Sequence, residues 1–282
     1  KELFKDLWIY KADYNWEEYP VGIIDFNHVL SDNHIMLQEG ITKLLVDVAN
    51  AHGLQLEENV YKYAFVELIK KLSEKYSKQV VLLIDEYDKP IITHLGKGDE
   101  GIRLAEKNRD ILKNFYGTIK AASVIENLRF VLLTGVSKFS KAGVFSELNN
   151  LSDITMHGRY ASILGITEEE LAHYFDEYIK LQCNYLEIDE EEVRLKIREY
   201  YNGYRFSETD LKVYNPFSLI KFFDESKFRN YWFESGTPTF LVNLIKERNY
   251  YIPQTESFSA DETTFSSYEL DNLDITALLF QT

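Results

Sequence analysis

What this sequence has little of bounds it first. Its 282 residues hold a single cysteine, Cys183. One thiol excludes an intramolecular disulfide framework and suits a reducing cytoplasmic setting. No apolar run approaches the ~20 residues that a membrane-spanning helix requires, and the N-terminal stretch carries no signal-peptide pattern. Positive charge is also short: 31 Lys and Arg face 46 Asp and Glu, a net charge of −15. The deficit is uneven, with 20 basic against 23 acidic residues over 1–165 and 11 against 23 over 166–282. A duplex-binding surface must displace counterions from phosphates and is normally basic. Direct nucleic-acid binding is therefore unexpected, above all in the C-terminal part, short of a local basic patch.

Several chemical signatures are absent as well. The six histidines, at 28, 34, 52, 94, 157 and 173, show no metal-ligand spacing with cysteines or acids. There is no Gly-x-Ser-x-Gly elbow for a nucleophilic serine, and no internal repeat. A phosphate cradle of the form Gly-x-x-x-x-Gly-Lys-Ser/Thr is missing too. The Gly96-Lys97 pair is followed by Gly98, and Ile91 stands where the first glycine would be.

What is present is organised around Gln79–Pro90, Gln-Val-Val-Leu-Leu-Ile-Asp-Glu-Tyr-Asp-Lys-Pro. Five uninterrupted aliphatic residues, Val80 to Ile84, predict a strand buried on both faces of a parallel sheet. It delivers Asp85 and Glu86 at its C-terminal end, where ligands bind in open α/β sheets. Asp85 could hold a magnesium ion through its water shell, and Glu86 could orient or deprotonate an attacking water. A buried strand capped by solvated carboxylates explains the same residues, and a solvated turn explains Asp88 and Lys89.

Around this stretch the pattern alternates. Lys1–Tyr19 reads as an irregular approach to a strand over Val21–Phe26. Helices follow at about 35–51, with an N-cap in Ser31-Asp-Asn, and at 57–76. Gly96–Gly101 reads as a mobile loop before a long amphipathic helix over 102–124. Arg129–Gly135 is a second buried strand ending in Thr134, and Tyr160–Ile166 a shorter strand candidate. This succession predicts an α/β class. From Thr167 the chain turns α-rich, opening on the capping box Thr167-Glu-Glu-Glu170. Tyr201-Asn-Gly-Tyr204 reads as a helix stop and turn, and Asn215-Pro216 as the start of another helix. Glu190–Glu192 read as a solvated helix start, Thr239–Lys246 as a further helix, and Phe258 and Phe265 as strand anchors. The predicted boundary lies near Gly165, giving domains 1–165 and 166–282. Thr134 could sense a phosphate from the neighbouring strand, or simply satisfy the local backbone. Cys183 reads as structural. The chain opens without methionine and stops in Leu278-Leu-Phe-Gln-Thr282, so a fragment is expected at both ends.

Six motifs together resemble the bacterial AAA-ATPase-like family: Leu83-Ile-Asp-Glu-Tyr-Asp-Lys-Pro90, Phe130 to Ser140, Leu148 to Thr155, Tyr201-Asn-Gly-Tyr204, Tyr214-Asn-Pro-Phe-Ser218 and Tyr231 to Pro238. The resemblance implies a partial P-loop NTPase sheet of the AAA/ASCE type, followed by an α-rich lid or winged-helix-like module. It makes Asp85 the Walker B, metal- and cofactor-binding aspartate, Glu86 the catalytic glutamate and Thr134 the sensor. Arg159 matches more loosely as a nucleotide-contacting arginine. It further implies ATP and Mg2+ as cofactors, an upstream P-loop segment and a downstream PD-(D/E)XK nuclease-like domain as partners, and ATPase activity in the full-length protein alone. The alternative is a non-hydrolysing scaffold that binds a protein partner through its acidic α-rich module. In this fold, Val80–Ile84 and Phe130–Thr134 should be neighbours, with one long edge open.

The charge distribution makes one prediction: the 282-residue chain shows no strong, salt-sensitive retention of duplex DNA in a mobility-shift assay. Retention that falls steeply between low and high salt would contradict it.

Overall fold

Three strands, Val21–Asp25 (β1), Val80–Asp85 (β2) and Leu128–Leu133 (β3), pair in the order β1-β2-β3 in the computed structural model of the chain. Both pairings are parallel, with Ile23 opposite Leu83 and Leu83 opposite Leu132. The expected α/β class and the expected neighbours are thus observed. The structure describes residues 1–136, 144, 148, 150–232 and 239–247. It divides into two compact units, Lys1–Asn149 with Thr239–Thr282, and Asn150–Pro238.

In the first unit the short helix Trp8–Lys11 (α1) precedes β1. Parallel strands need a crossover, and β1 and β2 are joined by His34–Ala51 (α2) and Tyr61–Tyr76 (α3). Asn33 starts α2, its side chain accepting the amides of Ile35 and Met36 at 3.0 Å each. The crossover between β2 and β3 holds Lys89–Ile92 (α4), Gly98–Gly117 (α5) and Ala122–Ile125 (α6). Leu37, Ile41 and Leu45 of α2, Phe65, Leu68 and Leu72 of α3, and Leu112 and Phe115 of α5 are buried with Ile24, Val80, Leu82 and Ile84 of the sheet. Alternation along each strand places those sheet residues on one face. Gly22 marks the helix side, because a Cβ there would lie 3.8 Å from Val48 of α2.

Among the described residues the other face is bare. Ile23 and Phe130 are 58% and 53% exposed, and Val21 and Leu132 are exposed beside them. By register these four share a face with Val81 and Leu83. A parallel sheet is normally covered on both faces. Among the described residues β3 also pairs on one side only, with β2.

One expectation in this unit fails. Gly96–Gly101 is not a loop throughout: α5 begins at Gly98. Asp99 and Glu100 occupy its first turn, where carboxylates favour the helix dipole. Gly101 is needed inside it, since a Cβ would come within 2.4 Å of the His94 carbonyl oxygen.

The second unit packs Glu168–Tyr174 (α7), Asp176–Leu186 (α8), Glu190–Tyr201 (α9) and Pro216–Glu225 (α10) around Leu171, Ile179, Ile197, Tyr201, Leu219 and Phe222. The Thr167–Glu170 capping box forms with both reciprocal hydrogen bonds, at 3.2 and 2.9 Å. Asn215 caps α10 through the Ser218 amide at 2.9 Å. After α9 the chain passes into Asn202–Tyr204 (β4), antiparallel to Val213–Tyr214 (β5), so the expected turn is a short strand. The expected strand at Tyr160–Ile166 is instead wound by turns, with the Ile163 amide donating to Tyr160 and the Gly165 amide to Ser162. Only Ile166 bridges Tyr214. The last described helix is Thr239–Glu247 (α11). Phe258, Phe265 and Leu278–Thr282 lie outside the described residues. Among the described residues no helix is long and apolar enough to cross a membrane.

Single truncations check the one-sided layering. Leu82→Ala, facing the helices, should cost about 2–5 kcal/mol. Ile23→Ala, on the bare face, should cost under about 1 kcal/mol. Equal losses in urea denaturation would show that the bare face is covered in solution.

Candidate functional site

The ends of β2 and β3 meet. The Thr134 amide donates to the Ile84 carbonyl at 2.9 Å, and the Tyr87 amide donates to the Thr134 carbonyl at 3.0 Å. Pairing therefore continues past the last strand residue. It holds Thr134 beside Asp85, and the Thr134 hydroxyl donates to Asp85 Oδ1. The same oxygen accepts the Glu86 amide at 3.0 Å. Both of these bonds fall on Oδ1, and Asp85 itself is exposed.

Glu86 turns the chain with φ of +52°, in the left-handed region that a residue with a side chain rarely adopts. Such conformations cluster at functional sites, where surrounding structure imposes them. Here the imposing contacts are the Asp85 carboxylate behind it and the Tyr87 amide ahead. Burial raises the Glu86 carboxyl above its ordinary range, Lys89 opposes this, and the Asp85 and Asp25 charges add to it. A base with a raised pKa is better matched to neutral pH than an ordinary glutamate.

Sequence reasoning overlooked Asp25. The register sets it opposite Asp85 at the end of β1. Its Oδ1 accepts the Asn27 amide at 2.8 Å, starting the 3-10 turn Phe26–His28. The strand it ends was legible in the sequence, but its alignment with Asp85 depends on register. For Asp88 the solvated turn, which explained the sequence equally well, does not hold. The residue is fully buried, and its Oδ1 accepts the Val136 amide at 3.2 Å. Its carbonyl starts α4, accepting the Ile91 and Ile92 amides at 2.9 and 3.0 Å.

The acid loop is fastened to α5 as well. Tyr116 donates its hydroxyl to the Tyr87 carbonyl at 3.1 Å, and burial pushes its phenol well above the ordinary range. Asn108 donates to the Pro90 and Ser31 carbonyls at 2.9 Å each. Arg159 is exposed in the second unit, in the 3-10 turn Gly158–Tyr160, whereas Asp85, Glu86 and Thr134 belong to the first. Cys183 is half-buried, and burial pushes its thiol up, away from reactive thiolate character.

The donor set suits a hard cation of limited appetite. Among the described residues no group of three His, Cys, Asp or Glu could cage a metal. Mg2+ needs no cage: it keeps several waters and takes one or two carboxylates plus phosphate oxygens. Asp85, exposed at the end of β2, is the residue here that could supply such a carboxylate.

Comparison with known proteins places the chain in a family. The family described as "Predicted AAA-ATPase" matches residues 1–145. Over 280 residues, 99% of this chain, the sequence is 37% identical to a protein of Azotobacter chroococcum mcd 1 called "Uncharacterized protein in vnfD 5'region". The match covers 51% of that protein, so the chain spans about half the length of this relative. No solved structure matches.

The raised Glu86 pKa fixes a pH dependence. Between the unfolded and folded pKa values the native state binds more protons, so Glu86 ionisation lowers stability as pH rises through that window. Glu86→Gln should therefore raise Tm at neutral pH, with the gain vanishing below the unfolded value of 4.5. Glu86→Gly should also raise Tm there, by relieving the positive φ. A neutral-pH loss in both variants would contradict the geometry.

Proposed function

This chain belongs to the predicted AAA-ATPase family, and on that basis we propose that it forms the Walker B and sensor half of an ATP-hydrolysing site. The observation that carries the proposal is the Thr134 hydroxyl bonded to Asp85, with Glu86 next in the chain, at the C-terminal ends of adjacent parallel strands. Asp85 would hold Mg2+, and the cation when bound would neutralise developing phosphate charge. Glu86, with its raised pKa, would accept a proton from the attacking water. Thr134 would keep Asp85 oriented and sense the terminal phosphate.

The phosphate cradle would come from outside these 282 residues. Supporting this, the sequence has no Gly-x-x-x-x-Gly-Lys-Ser/Thr, and the relative is about twice as long. Among the described residues β3 has an unpaired edge and the sheet an uncovered face, and these suit one further strand and a covering helix. We extend the same reading to a role for the second unit as a lid, with Arg159 approaching nucleotide from it. The nuclease-like domain implied by the resemblance would belong to the remaining length.

A second reading, a non-hydrolysing scaffold that binds a protein partner, is favoured by one feature. Tyr174, Tyr178, Leu181 and Tyr185 are all exposed at helical spacing along α7 and α8. Turnover separates the two. The full-length protein should hydrolyse ATP with Mg2+, and Glu86→Gln should lower kcat by ~10²–10⁴-fold while nucleotide still binds. Unchanged turnover in Glu86→Gln would remove Glu86 from the reaction, and an absence of turnover in the wild type would favour the scaffold.

A further inference from the structure

We infer that Asp88 is a positioning residue that clamps the sensor loop to the acid loop, so that Thr134 stays on Asp85. The inference rests on the ATPase reading for its consequence, though its geometry is independent of it. Asp88 is fully buried in the first unit, three residues beyond Asp85. An acidic side chain is almost never fully buried unless paired, so its contacts define its purpose. Its Oδ1 accepts the Val136 amide at 3.2 Å, across 48 residues of chain. Val136 stands two residues beyond Thr134.

Three ties therefore close around the sensor threonine. The Thr134 amide is held by Ile84 and the Thr134 carbonyl by the Tyr87 amide, and the Val136 amide is held by Asp88. Gly135, between them, lies flat against the acid loop: a Cβ there would fall 2.6 Å from Asp88 Oδ1 and 2.6 Å from two ring carbons of Tyr87. Glycine is required by that close approach.

The other side of Asp88 is rigid. Its carbonyl starts α4, and the loop is bound to α5 through Tyr116 and Asn108. β3 gains no ladder support from a strand on its far side among the described residues, and the clamp is a tie that reaches beyond Gly135. Releasing it would let the Thr134 hydroxyl swing from Asp85 without touching the phosphate-binding parts. The loss should then fall on kcat and spare KM, as expected when groups are misplaced in the transition state.

The test uses the full-length protein with two readouts. Hydrogen exchange follows the Val136 amide, and steady-state kinetics follow ATP turnover. Asp88→Ala removes the acceptor, whereas Asp88→Asn keeps a carbonyl oxygen in the same place. Asp88→Ala should lose protection at Val136 and lower kcat by ~10–100-fold with KM for ATP within about threefold. Asp88→Asn should retain protection and keep kcat within about threefold of wild type. If Asp88→Ala fails to fold, Gly135→Ala serves in its place, with the same expected loss of kcat and of Val136 protection. Protection retained in the acceptor-less variant overturns the proposal. So does an unchanged kcat, an equal loss of kcat in Asp88→Asn, or an effect on KM alone. If the wild type itself turns over no ATP, the ATPase reading fails, and exchange at Val136 alone then upholds or overturns the clamp.

Discussion

The hydrogen bond from Thr134 to Asp85 is the constraint on which the candidate site depends. A carboxylate at the end of a strand is ordinarily free to sample rotamers in solvent. Here two donors, the Thr134 hydroxyl and the Glu86 amide, fall on the same oxygen. The carboxylate is thereby oriented by the protein itself. Preorganisation of this kind lowers the cost of binding a cation and a phosphate later. It has a cost of its own. Glu86 is forced into a positive φ and into partial burial beside two other acids, and both work against stability. Strain, a raised pKa and a fixed neighbour coincide at one residue, as expected where function rather than folding sets the geometry.

In the proposal, the sheet accounts for a site that is organised and still half of one. Helices α2, α3 and α5 bury one face, with Ile24, Leu82 and Ile84 at its centre. That is enough apolar area to hold β1, β2 and β3 in register. The opposite face exposes Ile23 and Phe130, residues whose transfer out of water would each be worth about 1.5–3 kcal/mol. Asp85, by the alternation of the strand, projects toward this uncovered side. A strand on the edge of β3 and a helix over Ile23 and Phe130 would therefore bring their connecting loop to Asp85 and Glu86. In the proposal, the surface that lacks a cover and the site that lacks phosphate donors are the same gap.

The parts legible in the sequence were those with local causes. Five aliphatic residues followed by two acids mark β2 and its carboxylates. Phe130 to Leu133 followed by Thr134 marks the neighbouring strand end, and Thr167 with Glu170 marks a helix start. What was missed depends on residues far apart in the chain. Asp88 lies beside Lys89 and before a proline, a composition that suggests solvent, and its burial is met by partners distant in the chain such as the Val136 amide. Asp25 matters because register sets it beside Asp85. Gly135 looks like any turn glycine until Tyr87 is packed against it. The start of α5 was misjudged because Gly96, Gly98 and Gly101 suggested a loop, whereas Asp99 and Glu100 at the helix dipole and the tight fit of Gly101 prevail. The separation of Arg159 from the acids into another unit was likewise invisible in its sequence context.

The central claim, that the ends of β2 and β3 form one half of a nucleotide site, is tested most directly by a structure of the full-length protein with Mg2+ and a non-hydrolysable ATP analogue. The account predicts the terminal phosphates at the C-terminal ends of β2 and β3, with Asp85 reaching the cation and Glu86 and Thr134 facing the γ-phosphate. It also predicts a strand from outside these 282 residues on the free edge of β3. Nucleotide bound elsewhere, or a β3 edge left open in the complete protein, would contradict it.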